Sequence, residues 1–212
     1  MTREPARGKR RASPAPSVAG ASALAPRGTR NVRVFFAIWP DRDAHERLAA
    51  LAQDVAARTR GRAPRAGNLH VTVAFIGEIA PERIDALCAI GATAAARAAP
   101  FVLTLDCAGT FRGTGIAWAG ASMPPAELAR LARDLADALT ANAFAVEGRA
   151  FTPHVTLARR CTAPTNASVS APIAWTVTRL VLNTSEPTAD GPHYRVVAAW
   201  PLGLPATGGS PS

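Results

Sequence analysis

His70-Val71-Thr72-Val73 is a four-residue pattern that returns further along the chain as His154-Val155-Thr156-Leu157. Both copies alternate polar and apolar residues, which is typical of a β-strand with one buried face. Residues i and i+2 of a strand point to the same face, so each histidine projects beside its threonine. The pattern therefore predicts two strands that each present a His/Thr pair and bury their aliphatic side chains behind it.

The offset from His70 to His154 also relates two further pairs of segments. A predicted strand over 32–38 maps onto 116–122, and a predicted helix over 43–58 maps onto a leucine-striped helix over 127–142. Three elements in the same order at one spacing indicate an internal repeat. The repeat ends at 165–170, a Thr/Asn/Ser-rich loop where the first half has a helix. We therefore predict two related lobes, the second of them smaller.

The rest of the chain completes an α+β pattern of about ten elements. The apolar run Val32–Trp39 ends at Pro40, and Asp41 or Asp43 can cap the helix that follows. Proline, glycine and hydrophobic periodicity set the other predicted elements: strands over 68–79, 101–107, 115–120, 149–158, 172–183 and 194–200, and helices over 81–98 and from Pro124 onward. Sheets covered on the outside by helices follow from this order. If a twofold axis relates the lobes, the two His/Thr pairs meet in a central cleft.

The net charge of +9 is concentrated at one end of the chain. Residues 1–30 carry seven basic residues and one acid, which leaves +3 for the remainder of the sequence. This segment lacks hydrophobic periodicity and is predicted to be a disordered basic extension. It is either an arm for nucleic-acid phosphates or, as we favour, a dispensable extension. We expect one bilobal domain over 31–203, with lobes near 31–110 and 111–203 and strand exchange between them left open, and a disordered tail over 204–212.

Composition excludes several classes of protein. With 48% hydrophobic and 18% charged residues, the chain has the composition of a soluble folded protein. It contains neither a run of about 18–20 apolar residues, as a membrane span requires, nor the apolar core of a secretory signal. Cys88, Cys107 and Cys161 form no CxxC pair and no even-numbered set. We expect a reducing, cytoplasmic compartment.

Two imidazoles and two hydroxyls in one cleft suit phosphoryl transfer. In-line displacement at phosphorus needs a base for the entering oxygen and an acid for the leaving oxygen, and a histidine can fill either role near neutral pH. Hydroxyls of Thr72 and Thr156 can bind the non-bridging phosphate oxygens. The symmetry of the pattern does not decide which histidine is the acid. Since no cluster with metal-ligand spacing accompanies the motifs, we expect no metal and no other cofactor.

The motifs and their flanks resemble the 2H phosphoesterase superfamily, and within it the bacterial LigT-like RNA 2′,3′-cyclic phosphodiesterases. The matching segments run in family order across about 32–202: Val34–Ile38, Asn68–Glu78, Phe151–Arg159 and Trp200–Leu202. The resemblance implies a bilobal α+β fold with a central cleft and hydrolysis of 2′,3′-cyclic phosphate ends to 2′-phosphates. It also implies that His70 is the proton donor and His154 the proton acceptor. The expected partner is RNA with such an end or a small cyclic nucleotide, bound by a monomer with no protein or membrane partner.

Five further residues are weaker candidates. Arg159 follows the second motif and could bind phosphate as a fixed cation. Phe75 and Tyr194 could stack on a base, although core packing is the better interpretation for Phe75. His45 is expected on a solvated helix face and His193 in a turn.

Two alternatives to hydrolysis stay open. Some members of the resembled superfamily join or cleave 2′–5′ RNA linkages, so an ATP-independent 2′–5′ RNA ligase is one alternative. A non-enzymatic RNA or nucleotide-binding module is the other, although binding alone would not require both imidazoles. An ATP-dependent ligase is excluded because the chain has a single lysine, Lys9, and therefore no nucleotidyl-transfer lysine motif.

Overall fold

The structure, a computed structural model, describes residues 30–146, 148, 150–163, 169–188 and 191–204. Apart from Arg30 and Leu204, the predicted basic extension and C-terminal tail lie outside the described residues.

The first strand and helix form where the sequence predicts them. Strand β1 (Val32–Ile38) is buried along its second half, and helix α1 (Arg42–Thr59) follows it. Of the two candidate caps, Asp41 accepts a hydrogen bond from the backbone N–H of Ala44 at 2.9 Å, while Asp43 lies in the first turn. Both carboxylates are favourable there because the helix N-terminus exposes unpaired N–H groups.

The remaining strands and helices follow in chain order. They are β2 (Val71–Ile79), α2 (Ile84–Arg97), β3 (Phe101–Leu105), β4 (Cys107–Phe111), β5 (Ile116–Gly120), α3 (Ala126–Ala141), β6 (His154–Ala158), β7 (Ile173–Val177), β8 (Arg179–Thr188) and β9 (Gly191–Pro201). Short 3₁₀ turns over Ala66–Asn68 and Pro81–Arg83 precede β2 and α2. Within the described ranges, none of the helices is long and apolar enough to cross a bilayer.

The strands form one large antiparallel sheet and one small one. The large sheet has the order β4-β5-β6-β2-β1-β8-β9, and β3 pairs with β7 alone. Its two halves join at the β2/β6 neighbours, where the register consists of one pair, Val71 opposite Val155. These valines are equivalent positions of the internal repeat, so the approximate twofold axis passes between them.

The internal repeat is confirmed by the packing of the elements. The segments β1, α1 and β2 correspond to β5, α3 and β6, and the helices cross between the halves, α1 packing on β6 and α3 on β2. Leu48 and Val55 of α1 and Leu128 and Leu135 of α3 are fully buried against the sheet, because leucines and valines at helical spacing form one apolar stripe. The result is a bilobal α+β fold with helices on one face and a cleft on the other.

Several predicted strands differ in extent from the observed ones. The apolar runs over 101–107 and 172–183 are each two strands rather than one, because the chain leaves the β3/β7 sheet at Asp106 and Thr178 and enters the large sheet. The strand predicted over 149–158 begins only at His154, and that predicted from Asn68 begins at Val71. Periodicity cannot indicate a change of sheet within one apolar run, and it does not fix strand ends.

Candidate active site

The four motif residues lie together on the open face of the large sheet. Val71 and Val155 are opposite each other and point to the helix-covered face, where both are fully buried. The neighbours of each valine along its strand point the other way. His70, Thr72, His154 and Thr156 therefore surround the seam between the two half-sheets, and all four line one cleft.

Both imidazoles are oriented by the same backbone contact. His70 Nδ1–H donates to the carbonyl of Asn68 at 2.8 Å, and His154 Nδ1–H donates to the carbonyl of Thr152 at 2.8 Å. A carbonyl can only accept, so each Nδ1 carries the proton and Nε2 is the atom that can exchange one. The Nε2 atom of His70 lies 3.1 Å from the hydroxyl oxygen of Thr72.

The surroundings of the two imidazoles differ despite the repeat. Three aromatic rings enclose His70: Phe35 stacks on it at 5.0 Å, Trp39 lies 5.0 Å away, and Tyr194 presents its edge at 5.2 Å. We call these three rings the aromatic box. The second imidazole, His154, has an edge contact with Phe111 at 4.8 Å.

The aromatic box changes the acidity of His70. Burial among the rings lowers the pKa of His70 to about 4, because the charged imidazolium loses its hydration. The hydrogen bond to the Asn68 carbonyl opposes this shift, and the positive charges of His154 and Arg159 add to it. In the unliganded cleft at neutral pH, His70 is therefore neutral.

The weaker candidates Arg159, Phe75 and Tyr194 also line the cleft, which has a volume of about 1350 Å³. Phe75 is half-buried rather than part of the core, and the guanidinium of Arg33 lies 4.8 Å from its ring centroid. Burial raises the pKa of the Tyr194 hydroxyl, while the charges of Arg159 and Arg33 oppose that rise. Aromatic and cationic groups thus share one wall beside His70.

Four further residues around the site were not among the residues predicted from the sequence. Arg33, Arg62 and Arg65 line the cleft, and Trp39 completes the aromatic box. Arg33 lies two residues before Phe35 in β1, so both side chains are on the same face of the strand, and strand periodicity could have predicted this. No periodic signal marks Arg62 and Arg65, because they belong to the irregular segment between α1 and β2.

The other two histidines lie outside the cleft. His45, on α1, donates a hydrogen bond from Nε2 to the carbonyl of Ala66 at 2.9 Å. This bond connects α1 to the segment that leads to β2. The expectation of a turn for His193 is wrong: this exposed residue lies in β9, opposite Glu186 of β8. Within the part of the chain that the structure describes, no group of three or more His, Cys, Asp or Glu side chains could hold a metal ion.

Comparison with known proteins identifies the family. A sequence profile of the 2′-5′ RNA ligase superfamily matches residues 29–187. The chain belongs to this superfamily. Two similar curated proteins are both named RNA 2′,3′-cyclic phosphodiesterase. The one from Geobacillus stearothermophilus is 35% identical over 145 residues, which cover 64% of this chain and 46% of that protein. The one from Escherichia coli strain K12 is 34% identical over 127 residues, which cover 60% and 71%.

A solved structure shares the architecture. Escherichia coli LigT complexed with 3′-AMP is 29% identical, with a TM-score of 0.72, and the match covers 82% of this chain and 99% of that chain. The alignment with the Geobacillus relative spans less than half of that protein's length. The predicted resemblance to the 2H phosphoesterase superfamily with its LigT-like cyclic phosphodiesterases is confirmed, and so is the predicted fold class.

Proposed function

We propose that the protein hydrolyses 2′,3′-cyclic phosphate ends of RNA to 2′-phosphates, without a metal ion, through His70 and His154. The observation that supports this proposal best is the arrangement of two His/Thr pairs around the Val71–Val155 seam. Two relatives at about one-third identity carry the name RNA 2′,3′-cyclic phosphodiesterase. The cleft therefore combines the required acid–base groups with a family background that fits them.

The proposed reaction is an in-line attack of water on the cyclic phosphate. His154 Nε2 accepts a proton from the water as its oxygen forms the new bond to phosphorus. The bond from phosphorus to the 3′ oxygen breaks, and His70 Nε2–H donates its proton to that oxygen. The products are a 2′-phosphate and a 3′-hydroxyl, and proton exchange with solvent restores both imidazoles.

The hydroxyls and Arg159 stabilise the developing charge. Thr72 and Thr156 can donate hydrogen bonds to the non-bridging oxygens, whose negative charge grows in the transition state. Arg159 lies close enough for its charge to lower the pKa of both His70 and Tyr194. A guanidinium at that place binds a phosphate oxygen while remaining charged at every working pH.

The donor role of His70 requires the substrate itself. The pKa of about 4 in the unliganded cleft leaves this imidazole without the proton that it must donate. A bound phosphodiester adds a negative charge beside it and favours the imidazolium. Substrate binding thus favours the protonated form of His70. In plots against pH, both limbs of the kcat profile should therefore lie at higher pH than those of the kcat/KM profile.

The experiment is incubation of an RNA ending in 2′,3′-cyclic phosphate with excess EDTA, followed by mapping of the product phosphate. We expect a 2′-phosphate at an undiminished rate. His70→Ala and His154→Ala should each lower kcat on the order of 10²–10⁴-fold, whereas the matched control His193→Ala, on an exposed strand outside the cleft, should not. Loss of activity in EDTA, with recovery on addition of a divalent ion, would exclude the two-histidine mechanism.

A better leaving group separates the two histidine roles. Such a group hardly needs protonation, so the defect of His70→Ala should shrink while that of His154→Ala persists. Equal rescue of both variants would keep the reaction class but contradict the assignment of donor and acceptor.

The superfamily description favours one second candidate, an ATP-independent 2′–5′ RNA ligase. The same acid and base would let a 5′-hydroxyl take the place of the attacking water: His154 accepts its proton, the bond from phosphorus to the 3′ oxygen breaks, and His70 protonates that oxygen. Adding an RNA with a free 5′-hydroxyl to the assay distinguishes the two, because ligation yields a longer strand and hydrolysis does not.

We also propose that the protein acts as a monomer in the cytoplasm. Cys88, Cys107 and Cys161 are unpaired thiols, the state that a reducing compartment maintains. Sedimentation at micromolar concentration tests the monomer directly.

A further inference from the structure

Two arginines face each other across a short backbone contact in the cleft wall. Arg62, between α1 and β2, and Arg159, just beyond β6, form an antiparallel bridge. Arg62 N–H donates to the Arg159 carbonyl at 2.8 Å, and Arg159 N–H donates back at 2.9 Å. Directly opposite residues in such a pair project to the same side, with Cβ atoms about 4.5–5.5 Å apart. Like charges in this position repel each other, so the pair is suited to anions.

The two arginines of the bridge both line the cleft. Arg159 lines the cleft together with His70 and Tyr194, and in the proposed reaction it is the cation assigned to the reacting phosphate. The chain continues from Arg62 through Ala63 and Pro64 toward Arg65. Arg62 and Arg65 thus add two cleft-lining cations to Arg159, more than one bound phosphate requires.

The sequence from Arg62 to Arg65 favours an extended backbone. Pro64 fixes its own φ and biases Ala63 before it toward extended conformations. Arg65, at φ −56° and ψ 141°, is close to polyproline II geometry. Three residues of polyproline II make one turn and advance about 9 Å. Both arginines are exposed and both line the cleft, so they form a short row of cations on one side of the segment.

The cleft is larger than one mononucleotide requires. Its volume of about 1350 Å³ exceeds the roughly 300–1,000 Å³ of ordinary small-molecule sites. A cyclic mononucleotide carries a single phosphate, which Arg159 and the motif residues already accommodate. A row of further cations at regular spacing instead matches the repeated phosphodiesters of a strand.

We propose that Arg62 and Arg65 form a subsite for the phosphodiesters that precede the cyclic phosphate, so that the protein prefers RNA oligonucleotides to cyclic mononucleotides. This inference rests on the proposed function and specifies its substrate class. Arg62 and Arg65 are specificity-determining residues here, while the reacting phosphate is bound by the motif residues and Arg159.

The test compares two substrates that share one reacting group: 2′,3′-cyclic AMP and a tetranucleotide ending in the same cyclic adenosine. The full chain is compared with Arg62→Gln, Arg65→Gln and the double variant. The matched control is Arg130→Gln, which removes one exposed charge from α3, outside the cleft. The measured quantity is the ratio of kcat/KM for the tetranucleotide to kcat/KM for cyclic AMP.

We expect this ratio to be on the order of 10² in the unaltered protein. Each substitution should lower it about tenfold, the scale of one charged hydrogen bond. The control variant should keep the ratio. Equal losses on both substrates would show that Arg62 serves the reacting phosphate, and unchanged ratios would show that neither arginine binds the strand. Either result overturns the inference while leaving the hydrolase in place.

A binding measurement makes the inference independent of turnover. The affinity for a tetranucleotide with a terminal 2′-phosphate should fall with salt, and each substitution should reduce the slope of log K against log salt by about 0.7. The basic residues of 1–30 contribute equally to every variant and cancel in this comparison. If the unaltered protein hydrolyses neither substrate, the proposed function fails, and the salt slopes still decide the subsite.

Discussion

Binding of a nucleoside 2′-phosphate should raise the pKa of His70 from about 4 to near 7. In the unliganded protein at pH 7, a group with that pKa is protonated in about one molecule per thousand. A bound phosphate is the one charge in the proposed reaction that can reverse this, because His154 and Arg159 both lower the pKa of His70.

The size of the change follows from Coulomb's law for a phosphate in contact with the imidazolium. A negative charge about 4 Å from the imidazolium, at an effective dielectric constant of about 20, stabilises it by about 4 kcal/mol. Since each pH unit corresponds to about 1.36 kcal/mol, this equals a rise of about three in pKa. The bound phosphate thus more than offsets the net lowering of the pKa from 6.5 to about 4.

The assay is an NMR titration of ¹⁵N-labelled histidine, with and without saturating adenosine 2′-phosphate. The four histidines give few resonances, and loss of one signal in His70→Asn identifies it. Calorimetry at pH 6 in buffers of different ionisation enthalpy should also show net proton uptake on binding. A pKa of His70 that stays below 5 in the saturated complex would refute its role as the acid.

Three further changes test other parts of the structure. Because the folded state holds the pKa of His70 below the ordinary 6.5, the unfolded chain takes up a proton first as pH falls. The unaltered protein should therefore lose about 3 kcal/mol of unfolding free energy between pH 7 and pH 4 relative to His70→Asn, as measured in urea. Replacing either motif threonine by alanine should lower kcat about 10–100-fold, less than a histidine replacement, and steady-state kinetics at pH 7 would check this. Gly91→Ala would drive a Cβ into the ring of Trp200 and should lower stability by about 1–3 kcal/mol, whereas Gly67→Ala, whose added Cβ would meet open space, should not.

The sequence was most informative where local chemistry and a repeated pattern coincide. The constant offset between the two halves predicts the correspondence of β1, α1 and β2 with β5, α3 and β6, and the side-chain alternation predicts which face carries His70 and His154. These features depend on neighbours along the chain, which the sequence displays directly.

Features that depend on contacts distant in sequence could not be predicted in the same way. The breaks at Asp106 and Thr178 reflect a choice between two sheets, and an apolar run is equally compatible with either. The aromatic box takes its rings from β1, from the residue directly after β1 and from β9, so only the folded chain shows that they enclose one imidazole. For the same reason, the pairing of Arg62 with Arg159 could not be predicted from the sequence.

The equivalence of Val71 and Val155 across the approximate twofold axis has a consequence for how the two halves can diverge. Two identical subunits meeting at such a seam would present identical histidines, and any substitution beside one would appear beside the other. Within a single polypeptide each half can change alone. Phe35, Trp39 and Tyr194 therefore occur beside His70, while His154 has an edge contact with Phe111. Covalent fusion of the halves is what allows aromatic rings to enclose one imidazole while its counterpart keeps a different environment.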